Sequence, residues 1–199
     1  MIKHFKDSKE ILLYLKSNPI WISAFANGEG CFTASLMCYL KGMWGLQPQC
    51  EFNITQKAED LPLLEAINAY FDNKGGVYVK PNEMAVVTFK SIPILEELII
   101  PFFLEYPLLS AKSYEFEKWC DIVKLLRTQN HIGKTLTARN AFLDIALLCS
   151  DLNSKRNNPS KVIRAEIVKE WLESLAGVPS IEAKAELQAR IQKAKKLGI

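Results

Sequence analysis

The chain has 199 residues, a formal net charge of +3 from 25 Lys+Arg against 22 Asp+Glu, and a composition that is 49% hydrophobic and 24% charged. At about 150 residues per domain, that length suits one domain with an appendage, and the composition excludes a collagen-like, low-complexity or wholly disordered chain. With only two histidines, His4 and His131, a multi-histidine zinc site, a Ser-His-Asp triad or a histidine-based nuclease would have to draw on one or both. Cys31, Cys38, Cys50, Cys120 and Cys149 are odd in number and lack C-x-x-C spacing, so they read as reduced thiols rather than a disulfide framework.

The start, MIKHFKDSKE, is charged and has no apolar signal region. The longest apolar stretch, Ile92 to Leu104, is interrupted by Glu96 and Glu97 and is too short to span a bilayer. No membrane partner is expected.

Ile11, Leu12 and Leu15 recur at helical spacing and predict a lead helix over Ser8 to Lys16. Ser17-Asn18-Pro19 then opens a second helix, running to Glu29 and closed by Gly30 in the left-handed position that glycine favours. Beyond it the period changes to two. Phe32, Ala34, Leu36, Cys38 and Leu40 alternate with Thr33, Ser35, Met37 and Tyr39, and after a Gly42–Gly45 turn Cys50, Phe52 and Ile54 alternate with Gln49, Glu51, Asn53, Thr55 and Lys57. This predicts two half-buried antiparallel strands.

A helix over Asp60 to Phe71 should turn Leu63, Leu64, Ile67 and Phe71 inward and Glu65 and Asn68 to water. A second strand pair, Val77 to Lys80 and Met84 to Lys90, flanks Pro81-Asn82. A helix starts near Pro93 and is expected to kink or end at Pro101; another covers Ser110 to Leu126. Three more helices follow over Leu136 to Leu152, Lys161 to Ala176 and Ile181 to Leu197. The fold class is α+β: an αββαββα core with one four-stranded antiparallel sheet, plus C-terminal helices. The expected divisions are a lead helix over 1–17, a core over 18–128 and a helical extension over 129–199.

Within WISAFANGEGCF, Ser23, Ala26, Asn27 and Gly30 fall at i, i+3, i+4 and i+7, a stripe of small residues that lets another backbone come very close. If that backbone is a second copy of this helix, two Glu29 carboxylates meet. Glu29 is misplaced at the helix's negative end by about 0.3–1 kcal/mol. A carboxylate there makes sense if a cation arrives, because Mg²⁺ takes one or two carboxylates together with phosphate oxygens.

WISAFANGEGCF resembles the signature helix of the LAGLIDADG homing endonucleases, and the likeness continues in order through EFNITQK (Glu51 to Lys57), GGVYV (Gly75 to Val79) and YPLLSAKSYEFEKW (Tyr106 to Trp119). The resemblance implies a site-specific double-strand DNA endonuclease encoded within an organellar intron, in a mitochondrion or chloroplast. It implies metal-assisted phosphodiester hydrolysis with Mg²⁺ or Mn²⁺ as cofactor, bound by Glu29 with the Gly28 carbonyl. Gln56 matches a glutamine that orders the attacking water, and Lys112 is the nearest match to a lysine that completes the site, with Ser110 the other residue in that register. The DNA-binding surface it implies is the polar strand face: Thr33, Ser35, Met37, Tyr39, Gln49, Glu51, Asn53, Thr55, Lys57, Tyr78, Lys80, Met84, Thr88 and Lys90. An intron-splicing maturase, with intron RNA as its partner, or a cleavage-deficient nucleic-acid-binding protein is the alternative.

The chain departs from the family pattern at Asn27, where the first acid of the motif is usual. Neither FLDIALL (Phe142 to Leu148) nor WLESLAG (Trp171 to Gly177) ends in G-x-G, so the chain offers one signature helix, and a homodimer on a pseudo-palindromic site is expected, with isologous contact through Ser23, Ala26, Asn27 and Gly30. Basic residues gather later: ten basic and five acidic side chains lie between Lys112 and Arg164. Lys155, Arg156, Lys161 and Arg164 are therefore expected to share in phosphate binding.

Overall fold

In the computed structural model, residues 7–153, 163 and 165–197 are described. Helix α1 (Ser8–Ser17) is capped by Asp7, whose carboxylate accepts the amides of Lys9 and Glu10 at 3.0 Å each. Helix α2 (Ile20–Glu29) passes directly into β1 (Gly30–Cys38), and β2 spans Leu46–Lys57. A short 3₁₀ turn (Ala58–Asp60) leads into α3 (Leu61–Tyr70), followed by β3 (Gly76–Val79) and β4 (Met84–Phe89). Then come α4 (Ile92–Ile94), a π turn (Leu95–Ile99), α5 (Ile100–Glu105), α6 (Lys112–Thr128), α7 (Leu136–Asn153), α8 (Ala165–Ser174) and α9 (Ile181–Leu197). The four strands form one sheet in the order β1-β2-β4-β3. The α+β class with a four-stranded antiparallel sheet and C-terminal helices is thus observed, and among the described residues no helix is long and apolar enough to cross a membrane.

The chain forms two compact units that do not follow the divisions expected at 17/18 and 128/129. One holds the residues up to Phe32 together with Glu51–Glu117; the other holds Thr33–Cys50 and the residues from Lys118 onward. The first unit includes α1, which lies against α3. Its core is aromatic. Phe32 stacks on Phe52 with ring centroids 4.9 Å apart, and Phe103 meets Phe52 edge-on at 5.2 Å and Phe116 at 5.6 Å. Such edge-on pairs add about 0.5–1.5 kcal/mol each beyond the area they bury.

In the second unit, Leu36, Trp44 and Leu46 from the β1–β2 hairpin pack in one cluster with Phe142, Ala146, Val168, Leu172, Leu187 and Ile191. The hairpin tip belongs with the C-terminal helices because it supplies these apolar side chains. Gly45 sits at φ +78° in the turn, where a glycine avoids strain.

Three local expectations are corrected. Gly30 is extended (φ −72°, ψ 149°), not left-handed; glycine is needed because a Cβ there would lie 2.7 Å from the Ala26 carbonyl oxygen. Asn68 is buried, not on a wet face, and its Oδ1 accepts the Gly75 amide at 2.9 Å, which ties α3 to the turn before β3. Pro101 does not end its helix. The π turn ahead of it widens the backbone, with the Ile100 amide reaching back to the Leu95 carbonyl, and so accommodates the ring and the missing donor. The second of the C-terminal helices begins at Ala165, and the expected start at Lys161 lies outside the described residues.

Candidate functional site

The end of α2 is held by its own chain. Ser23 and Ala26, at 1% and 0% exposure, are buried within the protomer, as is Gly30. The Ser23 hydroxyl donates to the Pro107 carbonyl at 3.2 Å. Asn27 Oδ1 accepts three donors, the amides of Leu109 and Ser110 at 3.2 Å each and the Ser110 hydroxyl at 2.9 Å, while its Nδ2 donates to the Ser23 carbonyl at 3.1 Å. The small-residue stripe does admit a close backbone, but that backbone is residues 107–110 of the same chain. Ser23, Ala26 and Gly30 are therefore not dimer contacts, since a side chain sealed inside one protomer has no surface left for another, and Asn27 is committed to the same internal joint.

The open flank of α2 is a different one. Ile20 is 53% exposed, Ala24 and Gly28 are exposed at i+4 and i+8, and a Cβ on Gly28 would meet nothing within 4 Å. Trp21 and Phe25 stack beside this flank at 4.9 Å. The i, i+4, i+8 spacing of Ile20, Ala24 and Gly28 was readable in the sequence, yet it competes with the inner stripe, and spacing alone cannot say which is covered.

Glu29 is exposed at the helix terminus. The positive charge missing from that terminus comes from Lys112, at the start of α6. Its Nζ donates to the carbonyls of Ala26 at 2.9 Å, Gly30 at 2.5 Å and, more weakly, Gly28 at 3.4 Å. Burial pulls the Lys112 pKa below the ordinary lysine value, opposed by the negative potential of Cys31, Glu115 and Glu29. The lysine thus offsets the helix dipole at the point where Glu29 would otherwise aggravate it. Ser110, the other residue in that register, holds the start of α6 through its hydroxyl, which accepts the Lys112 amide at 3.2 Å.

Gln56 is half-buried on the sheet face shared with Phe52 and Ile54, opposite Ala85. Among the described residues no cluster of three or more His, Cys, Asp or Glu side chains is placed to hold a metal. The available donors are one carboxylate, Glu29, and one weakly engaged carbonyl, Gly28. Both are hard oxygens, and the set fits a divalent ion that retains much of its water, but a single protomer offers only half of such a site.

The register of the first unit sorts the strand face residue by residue. Asn53 pairs with Thr88, Thr55 with Val86 and Lys57 with Met84, and Thr88 and Val86 pair in turn with Gly76 and Tyr78. Lys57, Tyr78, Lys80 and Lys90 are exposed, while Glu51, Asn53, Thr55 and Met84 are half-buried. Thr88 is the exception. At 7% exposure it is buried, and its hydroxyl has no hydrogen-bond partner among the described residues, so it is not a surface group. In the second unit Met37, Tyr39 and Gln49 are exposed and Thr33 and Ser35 half-buried. Lys155, Arg156, Lys161 and Arg164 lie outside the described residues.

A family model for LAGLIDADG endonucleases matches residues 22–123. That span is half of the chain and contains most of α2, the sheet and most of α6; the protein belongs to the LAGLIDADG endonuclease family. The chain is 31% identical over 116 residues to probable intron-encoded endonuclease 3 of Neurospora crassa and 32% identical over 116 residues to probable intron-encoded endonuclease 2 of the same fungus. These alignments cover 58% and 57% of this chain but only 21% and 25% of the relatives' own length. Among solved structures, meganuclease I-SmaMI bound to uncleavable DNA superposes with a TM-score of 0.63 at 26% identity, over 70% of this chain and 45% of that one.

Proposed function

We propose that the protein is a site-specific double-strand DNA endonuclease, encoded within an intron of a mitochondrial or chloroplast genome, that acts as a homodimer on a pseudo-palindromic site. The observation that carries this reading is the single exposed carboxylate of Glu29 at the end of a helix whose neighbouring flank, Ile20, Ala24 and Gly28, is open and narrow. Two copies packed along that flank bring two Glu29 carboxylates together, and their repulsion favours divalent cations, Mg²⁺ or Mn²⁺. When bound, such an ion supplies Lewis-acid charge at the scissile phosphate and the leaving 3′ oxygen.

The chain's own residues do the rest. Glu29 and the Gly28 carbonyl furnish oxygen ligands, and Gly28 keeps the approach to them open. Lys112 adds a fixed positive charge beside the phosphate, where a preoriented charge costs no reorganisation during reaction. Gln56 orders the attacking water. The polar strand face lies in the major groove, where Asn, Gln and Lys side chains read base edges.

The test is cleavage of DNA carrying the uninterrupted exon junction, with Mg²⁺, by the wild-type chain and by Glu29→Gln. Cleavage by the wild type alone supports the reading. Wild-type protein that leaves the junction intact, yet promotes splicing of the intron RNA both with and without Glu29→Gln, would instead select the maturase.

A further inference from the structure

The tip of the β1–β2 hairpin is held by helices rather than by the sheet. Strand β4 pairs with β2 from Phe52 to Lys57, and among the described residues the first half of β2, Leu46–Glu51, is not paired with β4. That leaves a two-stranded ribbon, and such a hairpin on its own is marginally stable in water. Its inward side chains, Leu36, Trp44 and Leu46, are buried in one cluster with residues of α7, α8 and α9.

Apolar packing alone sets no direction, but two contacts at the tip do. The Trp171 indole N–H, from α8, donates to the Trp44 carbonyl at 2.9 Å. The next residue, Gly45, lies against α9: a Cβ there would come within 3.1 Å of Lys184 Cγ, and Lys184 is itself buried. Backbone bonds carry these two anchors to the strand. The Tyr39 amide donates to the Gly45 carbonyl at 2.9 Å, and the Gly42 amide donates to the Tyr39 carbonyl at 2.8 Å. The side chains that the ribbon leaves exposed are Met37, Tyr39, Gln47 and Gln49. Glutamine discriminates between bases through two hydrogen bonds made at once, so its backbone must be held. A mobile ribbon would re-seat on wrong sequences and shrink the difference in affinity that constitutes specificity.

Resting on the proposed endonuclease reading, we propose that Trp171 and Lys184 are positioning residues for sequence recognition. From α8 and α9 they fix the tip of the β1–β2 hairpin, so that Tyr39, Gln47 and Gln49 meet the major groove in one register. Neither needs to touch a base.

The experiment is a binding selection from a randomised double-stranded DNA library with full-length proteins, each confirmed folded by its melting profile. Gln49→Ala marks the positions read by the ribbon, and Lys57→Met marks positions read by the first unit. Trp171→Phe, which keeps a ring and removes the donor, and Lys184→Ala, which withdraws the stem from Gly45, are the test variants. Both are expected to lose selectivity by roughly 2- to 10-fold, the equilibrium worth of one hydrogen bond, at the positions marked by Gln49→Ala. Both keep it at those marked by Lys57→Met. Hydrogen exchange at the Tyr39 and Gly42 amides should quicken in both, with the β4 amides unchanged. The two variants reach the tip from different helices, so one that fails to fold leaves the other decisive. A wild-type profile in the folded variants overturns the proposal, as does a loss spread evenly over all positions, the mark of general destabilisation. A Gln49→Ala variant that selects as the wild type does overturns it too. Lys184→Ala binding that weakens equally for all sequences with a shallower salt dependence, the mark of a phosphate contact, removes Lys184 from the assignment. A wild type that selects no sequence overturns the endonuclease reading as well.

Discussion

Replacing Asn27 separates the joint at the end of α2 from the chemistry beside it. Asn27→Ala removes an acceptor from the Leu109 and Ser110 amides and the Ser110 hydroxyl, and a donor from the Ser23 carbonyl. A buried hydrogen bond is worth about 1 kcal/mol net. Three of these share one oxygen, two of those are long, and the amides they serve are near water. The combined loss is therefore about 2 kcal/mol, the upper range for loss of a helix cap. For a chain of this length 1 kcal/mol moves the melting temperature by roughly 2–4 °C, so the transition that includes α2 should fall by roughly 4–8 °C. Asn27→Asp keeps the three-donor acceptor and strengthens it by charge, but sets an oxygen against the Ser23 carbonyl and adds a second acid to the last turn of α2, so it should melt between the wild type and Asn27→Ala. Differential scanning calorimetry of the three proteins at neutral pH tests this. Equal melting of Asn27→Ala and wild type would refute the claim that this position is structural, and a fall in Asn27→Asp as large as in Asn27→Ala would refute the assignment of the joint to Oδ1.

Glu29→Gln should abolish Mg²⁺-dependent cleavage by at least about 100-fold while leaving DNA affinity within a few-fold, since the carboxylate serves chemistry and faces solvent; parallel cleavage and gel-shift assays decide it. Gly28→Leu fills the open flank of α2 without touching the protomer's interior, so sedimentation should show a dimer converted to a folded monomer, with the far-ultraviolet circular dichroism unchanged and the melting temperature no longer dependent on protein concentration; a dimer that persists would move the interface elsewhere. Lys112→Met removes the charge from the α2 carbonyls and should lower both stability, by about 1–2 kcal/mol, and cleavage rate; a variant that loses activity alone would make Lys112 purely catalytic. Burial raises the Cys149 pKa to about 12 and raises that of Cys50 above its ordinary value of 9.0 as well. Above pH 9 the unfolded thiols ionise while the folded ones stay protonated, so folded stability falls as pH rises. Each buried thiol adds up to about 1.4 kcal/mol per pH unit to that decline, and urea titrations of Cys50→Ala/Cys149→Ala between pH 8 and 10.5 should show a shallower one.

Strand periodicity was legible because alternation leaves no ambiguity of face: Phe32, Ala34, Leu36, Cys50, Phe52 and Ile54 turn inward as expected. Helix faces were less legible, since two flanks of α2 carry small residues and only the fold shows that 107–110 fills one of them. Asn68 defeated the helical wheel because a distant amide, that of Gly75, requires its acceptor inside. Trp44 escaped notice because it lies in a turn, where no period operates, though it anchors the second unit's core. The chemistry of Glu29 was visible as a charge at the wrong end of a helix; its compensation by Lys112 was not, because the two meet only through long-range packing.

The π turn at Leu95–Ile99 bears on which length changes the chain can tolerate. A π turn holds one residue more than the α-helical path it interrupts. Deleting one of the half-buried or exposed glutamates there, Glu96 or Glu97, would close the bulge into an ordinary helical turn and leave the residues that follow near their present faces. A one-residue deletion after the bulge, at Ile100, would instead rotate everything beyond it by about 100° and draw it in by about 1.5 Å, and Phe102 and Phe103 would swing out of the ring cluster around Phe32, Phe52 and Phe71. The π turn is therefore where this helix can shed a residue at least cost to the aromatic core, the remaining strain falling on Pro101, which would lose the widened backbone that accommodates it.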